Sequence, residues 1–465
     1  MIRLFLSALT LFFFALPVQA ADSAAITRHS ATFNGHPIAY SATVALSDVT
    51  GTDGAPVASL GSVSYVKDGH DARRPVIFFF NGGPGASSSP LHMALGPRHI
   101  VGGEMGQHLV DNPDSPLDCA DLVFIDPVGT GFARALPGKD GAAFWRVSAD
   151  AAAVSHFIAD WLKSHQRETS PVFIAGESYG TNRAAQIVAT HSGYTIRGVL
   201  LISLYADPQD ADLQSMTLLP SLASVAAFHG RNALTKDPQG AFDEAVEFSR
   251  TVYLPALVEG SAIPVAEKQK IAVEIAKRIG LTPELVAQKD LRLDPYDQML
   301  NMLKDQGLRT GQSDARITGK IADYADKKQP FDDPSMFSLK PGSSTKDIVQ
   351  AYFTGELGFR TAESYTTLNM EVNSKWQYDV DDAIKMPAVL IGTAMKKDKT
   401  LRLFWAGGLF DLRTPLYGGI YALRHAGIPA DRLTILTQPS GHGVYEGDEN
   451  LKGFTKAVRQ FVTAK

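Results

Sequence analysis

The 465-residue chain predicts an α/β fold, a mostly parallel sheet with helices on its faces and working loops at the carboxyl ends of its strands. Three observations carry this. Apolar runs of strand length recur without alternation, as strands buried on both faces require. Three of them end in a glycine-rich turn, at 81–85, 129–131 and 176–180. Helical periodicity follows or separates them.

In order, residues 25–66 read as β-rich and antiparallel, with Asn34-Gly35 as a hairpin turn between 31–33 and 38–40. Residues 62–67 are a further strand. The run 75–80 is a buried strand ending in Asn81-Gly82-Gly83-Pro84-Gly85, and 121–126 is another, ending in Pro127-Val128-Gly129-Thr130-Gly131. Phe144, Val147, Ala151, Val154, Phe157, Ile158 and Leu162 fall on one face of a helix over 144–165. The strand at 171–175 leads into Gly176-Glu177-Ser178-Tyr179-Gly180, with a helix over 181–190 and a strand over 196–203 behind it. Strand, Gly-x-Ser-x-Gly and helix form the nucleophile-elbow pattern, with Ser178 on the corner. The alternative is a serine capping a helix packed close to a sheet.

After Leu204 the rhythm changes. Residues 205–374 are mostly helical in pattern and charged, with clear helices over 241–253 and 265–279 and a start at Thr282-Pro283. They read as a helical cap inserted into a catalytic domain of 21–204 and 375–465. A polar loop around Asp314 and Arg316 lacks helical periodicity. The sheet resumes at 401–406, ending in Gly407-Gly408-Leu409-Phe410-Asp411. A helix follows Pro415, and a last strand at 433–436 ends in Pro439-Ser440-Gly441-His442-Gly443. A helix over 451–462 closes the chain.

Composition narrows the class. Hydrophobic content of 45% with 20% charged residues is that of a soluble globular protein. A net charge of −5 and the lack of a basic run argue against a nucleic-acid surface. Residues 1–20 read as a secretory signal: Arg3, an apolar stretch over 4–16, and Val18-Gln19-Ala20 as a cleavage site. The expected location is periplasmic or secreted, with no membrane span after cleavage. One cysteine, Cys119, excludes an internal disulfide and reads as a buried small residue rather than a nucleophile.

Given Ser178, the expected order is serine, acid, histidine. Of twelve histidines, nine precede Ser178 or lie close behind it, and His229 falls in the cap. His425 ends a helix, where a cation suits the last carbonyls. His442 lies in a glycine-flanked loop after the last strand and is the expected base. Asp411, at a strand end, is the expected acid; Asp431 follows a helix, and Glu446 and Asp448 come after His442. The other reading of Asp411 is a turn or cap before Pro415. Oxyanion donors are expected from the amide of Tyr179 and from the Gly82-Gly83 loop. No Gly-Lys-Ser/Thr follows that loop and no His-Glu-x-x-His occurs, so no cofactor or metal is expected.

The motifs Asn81-Gly82-Gly83-Pro84-Gly85-Ala86-Ser87-Ser88, Asp126-Pro127-Val128-Gly129-Thr130-Gly131-Phe132, Gly176-Glu177-Ser178-Tyr179-Gly180 and Gly441-His442 together resemble the serine carboxypeptidases. The resemblance is strong over about 60–205 and 400–445. It implies an α/β-hydrolase fold with a helical cap, and release of C-terminal residues from peptides bearing a free carboxylate. It implies that Asn81 and Glu177 bind that carboxylate, beside Gly82, and that the oxyanion amides are those of Gly83 and Tyr179. Two facing carboxyls hydrogen-bond only when they share a proton, which favours acid pH. Three positions depart from the family: Ala86 where Cys is usual, Phe79 where Trp is usual, and Ala94 where a further glutamate often stands. The usual disulfides are missing. These features resemble a bacterial, disulfide-free branch. An esterase or acyltransferase on the same triad is the alternative, and an inactive binding protein is a third reading that the complete triad opposes. Oligomeric state and side-chain preference are not readable.

Overall fold

The computed structural model describes residues 23–102, 107–206, 210–336, 345–380 and 386–464; the expected export segment lies outside them. Nine strands form one sheet: β1 (Ala24–Phe33), β2 (His36–Thr50), β3 (Pro56–Lys67), β4 (Val76–Phe80), β5 (Asp121–Asp126), β6 (Val172–Glu177), β7 (Ile196–Ile202), β8 (Arg402–Gly408) and β9 (Leu433–Gln438). Their spatial order is β1-β2-β3-β5-β4-β6-β7-β8-β9. The first three strands are antiparallel, β3 meets β5 antiparallel, and every later pairing is parallel. Asn34 and Gly35 both take positive φ, 49° and 80°, between the paired Phe33 and His36. That is the two-residue turn whose twist matches a hairpin.

The apolar runs are continuous because both faces of the sheet are covered. Val76, Phe78 and Phe80 of β4 pack into one hydrophobic cluster, and Ile77 and Phe79 pack into the other. The same period-two division holds in β5 and β6. The first face carries α1 (Val147–Ser164), α2 (Gly180–Thr190), α3 (Ala211–Phe228), α4 (Pro387–Lys397) and α5 (Leu416–His425). The second carries α6 (Asp448–Thr463), through Phe454, Val458 and Phe461.

Between β7 and β8 the chain makes a largely helical excursion, including Pro238–Phe248 and Val265–Ile279. The polar stretch at 309–316 is not only a loop: Leu308–Thr310 pairs antiparallel with Thr318–Lys320 around it. The later part returns to the sheet, where Val349, Tyr352, Phe353, Phe359 and Tyr365 join the second-face cluster. Cys119 is half-buried, its thiol donates to the Pro116 carbonyl, and burial pushes its pKa up to about 12.

Candidate active site

β6 runs straight into the elbow. Ser178 takes φ +59°, a left-handed conformation that costs a non-glycine residue energy and is tolerated where the surroundings enforce it. The enforcement is visible: the Ser178 amide donates to the Ile202 carbonyl at 2.9 Å. The flanking glycines are required by close approach. A Cβ on Gly176 would stand 2.1 Å from the Gly180 carbonyl oxygen, and one on Gly180 would stand 2.8 Å from that of Phe80. Gly82 lies directly on the elbow, where a Cβ would meet the Tyr179 amide nitrogen at 2.4 Å. The glycine loop after β4 and the residue after the serine are therefore neighbours, as two oxyanion donors must be.

Asp411 and His442 arrive from the ends of β8 and β9. A Cβ on Gly408 would lie 2.0 Å from the Gly441 carbonyl, so these two ends are pressed together. His442 Nδ1 stands 2.8 Å from Asp411 Oδ2. Asp411 is fully buried and also accepts from the Arg413 amide at 2.7 Å, the Thr414 amide at 3.1 Å and the Thr414 hydroxyl. With Nδ1 committed to the carboxylate, Nε2 is the imidazole atom left for the serine. Burial opposes the imidazolium, but the Asp411 carboxylate, with help from Glu177, outweighs it and raises the His442 pKa. Ser178 and His442 line one cleft of about 890 Å³, together with Asn81, Gly82, Gly83 and Glu177.

Asn81 and Glu177 are both buried beside the serine. The Asn81 side-chain oxygen accepts from the Leu91 amide at 3.2 Å, which leaves its NH2 group as the donor that faces Glu177. Tyr445 donates its hydroxyl to Glu177 Oε2 at 2.7 Å. Burial raises the Glu177 pKa, against the opposing pull of His442, Tyr445 and Asn81. Beneath this pair, Arg183 donates Nη1 to the Asn81 carbonyl at 2.6 Å and Nε to Asp150 at 2.6 Å. Both members of that ion pair are buried.

Sequence reasoning did not find Tyr445, Arg183 or Asp150. Tyr445 is 268 residues from its partner, and no local pattern marks it. Its only signal was its place three residues after the expected histidine. His425 lies apart from the cleft, its ring stacked on Tyr421 and its Nδ1 near the Tyr421 carbonyl. Ala94 lines the cleft where the family often has a glutamate. Arg316 pairs with Asp314 and donates Nη1 to the Pro439 carbonyl at 2.6 Å, which ties the insertion to the histidine loop. Among the described residues, no group of three His, Cys, Asp or Glu side chains is gathered to hold a metal. No helix among them is long and apolar enough to cross a membrane.

Residues 64–193 match the family model described as serine carboxypeptidase. Serine carboxypeptidase-like 21 of Arabidopsis thaliana is 32% identical over 130 residues, which is 26% of this chain and 26% of that protein. A carboxypeptidase Y homolog of Arthroderma benhamiae is 40% identical over 109 residues, covering 23% of this chain and 21% of its own. The chain thus matches about a quarter of the length of these curated relatives. Among solved structures, the prohormone-processing carboxypeptidase Kex1(Δ)p of Saccharomyces cerevisiae superimposes with a TM-score of 0.54 at 16% identity, covering 91% of this chain and 90% of that one. At that identity the likeness speaks for the fold, which with the strand order above is an α/β-hydrolase fold.

Proposed function

We propose that this chain, whose residues 64–193 belong to the serine carboxypeptidase family, hydrolyses C-terminal residues from peptides through an acyl-enzyme on Ser178. The observation that carries the reading is the buried Glu177, with Asn81 and Tyr445, set one residue before the nucleophile. An exopeptidase must recognise a carboxylate at a fixed distance from the bond it cuts, and a carboxyl whose pKa is raised by burial can donate to one when it carries its proton.

In this mechanism His442 Nε2 takes the proton from Ser178 Oγ as the oxygen attacks the scissile carbonyl. The carbonyl oxygen becomes an oxyanion and accepts from the amides of Gly83 and Tyr179. The imidazolium, held by Asp411, gives its proton to the leaving nitrogen as the C–N bond breaks. The C-terminal residue departs, and water repeats the sequence on the ester to restore Ser178. The Asn81 NH2 and the protonated Glu177 hold the substrate's carboxylate, with Gly82 providing the open backbone beside it. No cofactor takes part. Residues 205–374, apart from 349–365, which pack on the sheet, act as a cap that shapes the side-chain pockets.

Ala94 supports a second reading. Without a further carboxyl at that place the clamp is smaller, and an esterase or acyltransferase could use the same triad. For location, a signal over 1–20 predicts a periplasmic or secreted protein whose mature form begins near Ala21; N-terminal sequencing that returns Met1 would contradict it. The site itself is tested by a fluorophosphonate probe. Ser178→Ala abolishes labelling with an unchanged thermal melt; persistent labelling means another serine is the nucleophile.

A further inference from the structure

The insertion does more than cover the cleft. Asp333 is a buried carboxylate in it, and every side of that carboxylate is occupied. Its Oδ1 accepts from the Gln312 amide at 3.1 Å, the Ser335 amide at 2.9 Å and the Ser335 hydroxyl at 2.5 Å. Its Oδ2 accepts from the Ser313 amide at 3.0 Å, the Ser313 hydroxyl at 3.3 Å and Arg413 Nη2 at 3.0 Å. Burial alone would raise this carboxyl's pKa, but the Ser335, Arg413 and Ser313 donors outweigh it and hold the group below the usual range.

Two of those donors lead to the triad. The Ser313 carbonyl accepts the His442 amide at 2.6 Å, and the Gly441 backbone is in such close contact that a Cβ there would lie 2.4 Å from the Ser313 oxygen. Arg413 also donates Nε to the Ser313 hydroxyl at 2.5 Å, while its own amide holds Asp411 Oδ1. Pairing of Leu412 with Gln312 and of Ala315 with Phe410 runs alongside. The carboxylate thus stands at a junction between the main chains that carry the acid and the base.

We propose that Asp333 is a positioning residue for catalysis, fixing Asp411 and His442 relative to each other through Arg413 and Ser313. The inference rests on the triad reading above. A saturated acceptor surrounded by donors has no tolerance for an amide: in Asp333→Asn one of the two terminal atoms becomes a donor facing donors. The loops then relax, and a displacement of about 1 Å at the reacting atoms costs up to about 100-fold in rate.

The charges around His442 give the direction of a second effect. Asp411 and Arg413 face it from the acid loop, Glu177 from the elbow, Glu446 from its own loop, and the Asp314–Arg316 pair lies on the insertion side. Removing the Asp333 charge leaves Arg413 uncompensated, which disfavours the imidazolium. A loosened Asp411 contact does the same, so both changes lower the pH at which His442 titrates.

The test measures fluorophosphonate labelling rate against pH, which reads the serine and histidine without depending on the substrate. Asp333→Asn is expected to slow labelling about 10- to 100-fold and to shift the midpoint of its acid limb downward. The control is Asp332→Asn, whose partners Arg309 and Tyr296 belong to the insertion. It is expected to lower the melting temperature while leaving rate and midpoint alone. If Asp333→Asn does not fold, Ser313→Ala carries the test, since it removes only the hydroxyl between Arg413 and Asp333; in the folded variant labelling should slow about threefold or more, with the acid-limb midpoint lowered. Wild-type rate and midpoint in the folded variant tested would overturn the proposal, as would equal effects from Asp332→Asn. A wild-type protein that does not label would remove the triad reading itself, and this inference with it.

Discussion

Replacing Glu177 by glutamine tests how the cleft reads its substrate. In the wild type the buried carboxyl has a raised pKa, with desolvation as the largest cause. Below that pKa it donates to a peptide carboxylate. Above it, binding a free-acid peptide requires taking up a proton, so KM should rise up to about tenfold per pH unit. The ceiling is set by repulsion between two ionised carboxylates: about 4 kcal/mol at about 4 Å and an effective dielectric of about 20, or about a thousandfold in KM. A C-terminally amidated peptide escapes this penalty, so its KM should change much less. In Glu177→Gln the side-chain oxygen can still accept from Tyr445 while the NH2 donates to the substrate at every pH. The two substrates should then give flat, similar curves. The assay is KM for a matched acid and amide peptide pair across pH in both proteins. Parallel curves in the wild type would refute the carboxylate-reading role and move the esterase reading ahead.

Two further outcomes follow from the geometry. Asp411 raises the His442 pKa through the 2.8 Å contact to Nδ1, so the acid limb of labelling lies above the usual imidazole value, and Asp411→Asn moves it to lower pH while slowing the rate steeply; an unmoved limb would mean another acid serves the histidine. Asp150→Asn leaves Arg183 buried without its counter-ion and should cost about 3–5 kcal/mol in a denaturant melt; a loss below about 1 kcal/mol would mean that Arg183 finds another partner.

Much of the framework was legible because local pattern and global role agree. The non-alternating apolar runs at 75–80 and 171–175, each ended by a glycine-rich turn, read as strands covered on both faces, and β4 and β6 are such strands. Asn34-Gly35 carried its turn in two residues. Gly176 and Gly180 mark close approaches that any side chain would block. The chain order of serine, acid and histidine singled out His442 because the topology left few histidines behind the last strand. What escaped was what depends on contacts between distant segments. Asp333 has no periodicity or motif, and its role exists only because an insertion loop folds onto 411–413 and 441–442. Arg183 reads as an ordinary helix residue until its guanidinium is seen to reach the Asn81 carbonyl, 102 residues away. The return of 349–365 to the second face of the sheet was hidden in a stretch whose charges resembled the cap around it.

The most direct measurement of the central claim is the product pattern. Purified protein incubated across a range of pH with peptides of mixed sequence should release residues one at a time from the free C-terminus, seen by mass spectrometry as a ladder of shortened peptides. Ser178→Ala should release none. Internal fragments, a ladder that persists in Ser178→Ala, or intact peptides beside hydrolysed esters would contradict the account.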